Sequence, residues 1–150
     1  IKETAMTQRP FQTSPREEPI SLAMRQAVSQ LKFSADPVPG DLFDSVARAI
    51  AEELGNDDRL NKPTQIRRFY DELVGWQQRI KGSEEAFKKY EAFVRMMNAK
   101  VAYAKGRKLV DANFEYWFKE SIKAASSARA LDHFRLHFEA VLGFLKGLRG

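Results

Sequence analysis

The sequence predicts an all-α fold: a single-domain bundle of about five mostly antiparallel helices, preceded by a partly disordered N-terminal extension. Three observations predict it. Apolar residues recur at helical spacing through five separate stretches, and no run of four or more residues alternates cleanly as a half-buried strand would. Eleven Phe stand beside eight Val and six Ile, a modest share of the β-branched residues that strands usually collect. The connections between periodic stretches are short, which favours antiparallel neighbours. At 150 residues the chain is long enough for one real core and too short to suggest two.

Taken in order, residues 1–40 read as an extension and residues 41–150 as the bundle. Ile1 to Ala5 resembles a tag remnant, with Met6 as a native start. The following TQRPFQTSPREEP is polar and proline-rich, so it is expected to be disordered or extended. Ile20, Met24, Val28 and Leu31 allow a short helix within residues 20–33. Ser34 to Gly40, SADPVPG, then breaks the chain and marks the boundary.

Asp41 is placed to cap the first bundle helix, with Leu42, Phe43, Val46, Ile50 and Leu54 on its apolar face and Gly55 at its end. Pro63 suits the first turn of the second, which carries Ile66, Phe69, Tyr70, Leu73, Trp76 and Ile80. Ser83 caps a long third helix through Glu84 to Lys108, about 35 Å if unbroken, on which the other segments are expected to pack. Its inward stripe is Phe87, Tyr90, Val94, Met97, Val101 and Ala104. A neighbouring stripe, Phe93, Met96, Lys100, Tyr103 and Arg107, begins apolar and ends basic. Asp111 caps a fourth helix with Phe114, Trp117, Phe118, Ile122 and Ala125 inward. Ser126 or Ser127 opens a fifth, with Leu131, Phe134, Phe138, Val141, Leu142 and Leu145 inward.

Composition removes several function classes. There is no cysteine, so no disulfide framework, thiol nucleophile or thiolate metal site exists, which fits a reducing cytoplasm. No apolar run reaches the roughly 18 residues that span a bilayer, so no membrane partner is expected. The glycines form no phosphate-binding loop, and no serine has a visible base partner, so the chain reads as no enzyme and as needing no cofactor. His133 and His137 stand at i, i+4, a spacing that can hold a metal, but no third ligand completes a pattern. They are read as half-exposed residues flanking Phe134 and Phe138, replaceable by alanine at a cost under roughly 1–2 kcal/mol.

The net charge of +5 is concentrated: residues 62–110 hold twelve Lys/Arg against five Asp/Glu. A basic middle in a near-neutral chain points to a polyanion partner, or else to a lysine-rich solvated surface. Arg67 and Arg68 lie early in the second helix; Arg68 is expected to pair partly with Asp71 or Glu72 and Arg67 to be left without an acidic partner. Lys100, Tyr103 and Arg107 share a face, with Lys105 and Lys108 close by. Cations around one aromatic suit phosphates with a stacked base or sugar; the alternative is a core-edge tyrosine with cations that only solvate the helix end.

Thr64-Gln65-Ile66-Arg67-Arg68-Phe69-Tyr70 resembles the helix start of the small helical subunit of type III-A CRISPR effector assemblies, the Csm complexes. Lys100-x-x-Tyr103-x-x-Gly106-Arg107 is similar to that family's second hallmark, and the aromatic-rich LDHFRLHFEAVLGFLKG is a third similarity. The resemblance covers roughly residues 41–150. Pro63 stands where the family usually has Ser or Thr, and the N-terminal extension has no counterpart. The resemblance implies a non-catalytic, cytoplasmic subunit that stacks in several copies along the guide RNA, binds the guide–target RNA duplex without reading sequence, and contacts neighbouring copies and other subunits. It places basic positions on Arg67, Lys100 and Arg107; Arg68, Tyr103, Lys105 and Lys108 are added from charge and spacing. The rival expectation is a stand-alone helical protein-interaction module whose basic face meets an acidic partner.

Overall fold

The computed structural model describes residues 19–149, so the expectations for residues 1–18 lie outside the described residues. The described chain is helical and contains no strand. Its elements are α1 (Leu22–Val28), a 3₁₀ turn (Gly40–Phe43), α2 (Ser45–Leu54), α3 (Pro63–Ile80), α4 (Glu84–Arg95), α5 (Met97–Gly106), α6 (Ala112–Ala124) and α7 (Ala128–Arg149).

The capping chemistry accounts for several boundaries. The Ser83 hydroxyl accepts from the Ala86 N–H at 3.1 Å, and the Asp111 carboxylate from the Phe114 N–H at 3.0 Å. The Ser127 hydroxyl accepts from the Ala130 N–H at 3.0 Å at the start of α7. Pro63 opens α3, and the chain turns into α4 through Lys81 and Gly82, both at positive φ (47° and 73°). Asp41 does not cap α2. It lies in the 3₁₀ turn, and α2 starts at Ser45 after Asp44.

The organising element is α7, not the stretch from Glu84 to Lys108. At 22 residues and about 33 Å, α7 packs on α2, α3, α4, α6 and the 3₁₀ turn and buries nine of its residues. The expected long helix is interrupted. Met96 keeps helical dihedrals (φ −64°, ψ −18°), but its carbonyl accepts the Ala99 N–H at 3.0 Å, an i→i+3 bond that tightens the helix there. Its inward stripe is also narrow, with Phe87, Val94, Met97, Val101 and Ala104 buried. A narrow stripe can be covered from one side, whereas the broad apolar arc of α7 must be surrounded.

Around α7 the core is aromatic. Phe33, Phe114, Trp117, Phe118, Phe134 and Phe138 are all fully buried. Trp117 meets Phe138 edge to face at 4.9 Å between centroids and 76°, the arrangement that ring quadrupoles favour. Within this cluster lies His137, also fully buried. Its Nε2 accepts from the indole N–H of Trp117 at 3.0 Å, and its Nδ1 faces the Leu42 carbonyl. An indole N–H can only donate and a carbonyl can only accept, so the imidazole is neutral with its proton on Nδ1. Burial pushes its pKa down to about 4. The expectation of two half-exposed, dispensable histidines is therefore corrected: His137 is a core hydrogen-bond hub, and the partly buried His133 bonds the Phe33 carbonyl through Nδ1 at 2.7 Å.

Both carbonyls belong to the segment before α2, and that segment is part of the packing. Met24, Ala27, Val28 and Phe33 join the same buried cluster as α2 to α7, and Phe33 lies 5.6 Å from Phe134 and 5.4 Å from His137. The SADPVPG breaker ends α1's segment without ending its contact with the bundle. We place the start of the packed unit near Ile20, whereas the breaker alone suggests residue 41. Polar staples close the far end. Asn61, buried at φ 55°, donates to the Leu54 carbonyl and accepts from the Asp111 N–H, each at 3.1 Å. Arg149 donates to the carbonyls of Leu54, Asp57 and Leu60 at 3.0–3.3 Å.

Two outcomes are expected in urea denaturation. Phe33→Ala should destabilise by about 3–5 kcal/mol, the range for emptying a buried aromatic site; a loss under about 1 kcal/mol would put the segment outside the packed unit. Because the folded pKa of His137 lies below its unfolded value, the unfolded chain binds the extra proton between about pH 6.5 and 4. That part of the stability is intact above pH 6.5 and falls as pH is lowered, by on the order of 2 kcal/mol at pH 5. His137→Gln should remove this dependence, whatever it does to stability at pH 7.

Candidate nucleic-acid interface

The cations of the basic middle do not form one patch. On α3, Arg67 and Glu72 are five residues apart, which turns them about 140° from each other. Arg67 accordingly lines a cleft of about 480 Å³ between α3 and α7, with Thr64, Tyr70, Glu139, Leu142 and Lys146 among its walls. Its Nε donates to Asp71 Oδ1 at 3.3 Å, an i, i+4 pair, and its guanidinium lies 5.4 Å from the Tyr70 ring centroid. Arg67 thus has the acidic partner that it was expected to lack. Both members of the pair are well exposed, so its contribution to stability is small and the guanidinium stays accessible.

Arg68 is exposed and lies about 40° from Glu72 around α3. It makes no ion pair with Asp71 or Glu72, which meet Arg67 and Lys100 instead. Lys100 reaches across from α5 and places Nζ 2.9 Å from Glu72 Oε2, while the Trp76 indole N–H donates to the same oxygen at 3.4 Å. The bond links α5 to α3 and offsets part of the Lys100 charge.

Along α5, Lys100, Tyr103 and Arg107 follow i, i+3, i+7 and face outward together. Tyr103 is 67% exposed, so it is not a core-edge residue. Arg107 donates to the Tyr103 hydroxyl at 3.3 Å, with its guanidinium 5.8 Å from the ring centroid. This is an accessible aromatic with a cation held over it. Lys105 turns the other way, with Nζ 3.7 Å from Glu115 of α6. Lys108 is exposed at positive φ (62°) just past the helix end. The structure therefore groups Lys100, Tyr103 and Arg107, and sets Arg67 and Lys105 on other sides.

Large apolar residues lie exposed beside this group. Phe93 (51% exposed) and Met96 (60%) continue the α5 face onto α4, and Trp76 of α3 stacks on Phe93. Their signal was present in the outward stripe. Trp76 was hidden because its spacing fits the inward face of α3 as well. As for metals, among the described residues no three or more His, Cys, Asp or Glu side chains cluster to hold an ion, and both histidines are engaged by backbone carbonyls.

The family model for Csm2 of type III-A matches residues 38–150. The chain belongs to that family. It is accordingly a subunit of a type III-A CRISPR effector complex, a Csm complex. Both motifs, Thr64 to Tyr70 and Lys100 to Arg107, fall inside the matched span, as do α2 to α7. No curated protein and no solved structure matches the chain. Among the described residues no helix is long and apolar enough to cross a membrane.

Proposed function

We propose that the chain is a non-catalytic RNA-binding subunit of the Csm complex. Several copies stack along the guide–target RNA duplex in the cytoplasm, touching neighbouring copies and other subunits and holding the duplex by its backbone. The observation that carries this reading is the exposed Lys100–Tyr103–Arg107 face in a member of this family. Duplex RNA offers phosphates and 2′-hydroxyls across a shallow groove and hides base identity. A helix face with a few cations meets those phosphates and 2′-hydroxyls without preference for the guide's sequence, since the duplex keeps base edges out of reach. Arg68 lies on the same side of α3 as Glu72, and Arg67 gives a second approach from the α3–α7 cleft. Lys105 and Lys108 add charge at the end of α5.

The rival reading, a protein-interaction bundle with an acidic partner, is separated by purifying the native protein with and without RNase. A short RNA and larger subunits that leave together with RNase treatment support the complex. An acidic protein partner that co-purifies with no RNA supports the rival.

In a reconstituted complex, Arg67→Ala, Lys100→Ala and Arg107→Ala should each weaken target-RNA binding, and the loss for any one variant should be the same whatever the target sequence. Each should lower the slope of log K against log salt by somewhat under one unit. Arg107→Ala should have the largest effect, since its guanidinium bonds a hydroxyl whereas Arg67 and Lys100 each meet a carboxylate. A triple variant that assembles normally and binds target RNA as tightly as wild type at every salt concentration would show that the face is wrong.

A further inference from the structure

We propose that the Trp76–Phe93 stack is a seat for an unpaired base of single-stranded RNA. This rests on the reading that this side of the bundle meets RNA, and it adds base contacts to the backbone contacts above. Trp76 of α3 and Phe93 of α4 lie almost parallel, 9° apart with centroids at 5.5 Å, and Tyr90 packs on Trp76 at 5.8 Å. Stacked on the Trp76 indole, Phe93 still leaves 51% of its surface open, and Met96 beside it leaves 60%. Large apolar groups exposed together on one face mark a contact surface, because folding alone would gain by burying them.

The rim of this patch is cationic. The Arg79 guanidinium lies 5.3 Å from the Trp76 ring centroid, and Lys89 Nζ lies 5.4 Å from that of Tyr90. Lys100 stands seven residues on from Phe93, on the same face. Glu72, the carboxylate at the edge, is occupied by the Trp76 N–H and by Lys100. An apolar protein partner would not call for cations over the Trp76 and Tyr90 rings, whereas a nucleotide brings a π-face and a phosphate together. Stacking needs an open base face, so a paired strand cannot use this seat and a single strand or an extruded base can. Every base has a π-face, so the seat is sequence-tolerant, as a guide-programmed complex requires.

The chain has two tryptophans, and Trp117 is fully buried, so an emission change on ligand stacking reports Trp76. The full chain is titrated at low salt with a twelve-nucleotide oligouridylate and with an abasic ribose-phosphate oligomer of equal length and charge. The oligouridylate is expected to quench tryptophan emission and to bind roughly tenfold more tightly than the abasic oligomer. Phe93→Ala, checked for an unchanged melting temperature, should bring the oligouridylate down to the abasic affinity. Equal affinities for the two oligomers, or an unchanged affinity in Phe93→Ala, overturn the seat and leave the backbone reading standing. Should Phe93→Ala alter sedimentation of the protein alone but not its affinity for oligouridylate, the patch is covered by a second copy and the seat is refuted. Failure of both oligomers to bind refutes it too, and the backbone reading is then decided on the assembled complex.

Discussion

A neutral imidazole at the centre of the aromatic core is the constraint on which the arrangement depends. His137 joins three parts of the chain at once: its own helix α7, Trp117 of α6, and the turn that holds Leu42. Neither partner can exchange roles, so the hydrogen-bond chain runs in one direction and permits one tautomer. Protonation would set a second N–H against the Trp117 N–H inside a dry cluster, leaving two donors without an acceptor. The apolar rings around it supply most of the burial free energy, but they are interchangeable in shape. The polar chain fixes which edge of Trp117 faces α7 and where the entry to α2 is tied down, and so selects one packing among similar ones.

This internal rigidity bears on the outer face. The α4–α5 stretch is held to the bundle along a narrow apolar stripe and by polar contacts from both helices, among them Glu84 to the Ala128 N–H and the partly exposed Lys100–Glu72 and Lys105–Glu115 pairs. A surface pair of this kind contributes about 0–1 kcal/mol, so the face is not kept in place by its charges. It is kept by Phe87, Val94, Met97 and Val101 beneath, which leaves Phe93, Met96, Tyr103 and Arg107 displayed above. Core and contact surface thus occupy opposite sides of the same two helices, and the cations there can serve a polyanion without being needed for folding.

Much of the fold was legible in the sequence. Each expected bundle stretch is helical, with the third split into α4 and α5 and the start of the first wound as a 3₁₀ turn, because helical spacing of large apolar groups and side-chain caps such as Ser83 and Asp111 act locally. What the sequence hid depends on distant partners. Phe33 lies past the end of α1 with no periodic neighbours, so nothing local shows that it reaches Phe134. His137 resembles an ordinary polar interruption in α7 until Trp117 and Leu42 are brought to it. The Met96 interruption leaves the apolar spacing intact, so periodicity could not reveal it. At the candidate site the α5 group was readable because its members share one helix. The allocation of Asp71 to Arg67 and of Glu72 to Lys100 was not, since it depends on how α3 and α5 pack.

The number of charges on the face also constrains how a subunit of this design can work. If the face meets RNA as proposed, two or three accessible cations, some of them partly offset by carboxylates, would give one copy only a weak hold, weaker still at physiological salt. On the proposed reading this is an advantage. Copies repeated along a guide convert each further contact into an intramolecular one, so affinity grows with the length of paired target while each contact stays reversible. A strong isolated site would capture any RNA in the cell and report nothing about pairing. Weak, sequence-blind contacts on a rigid scaffold make the assembled complex respond to the guide–target duplex as a whole.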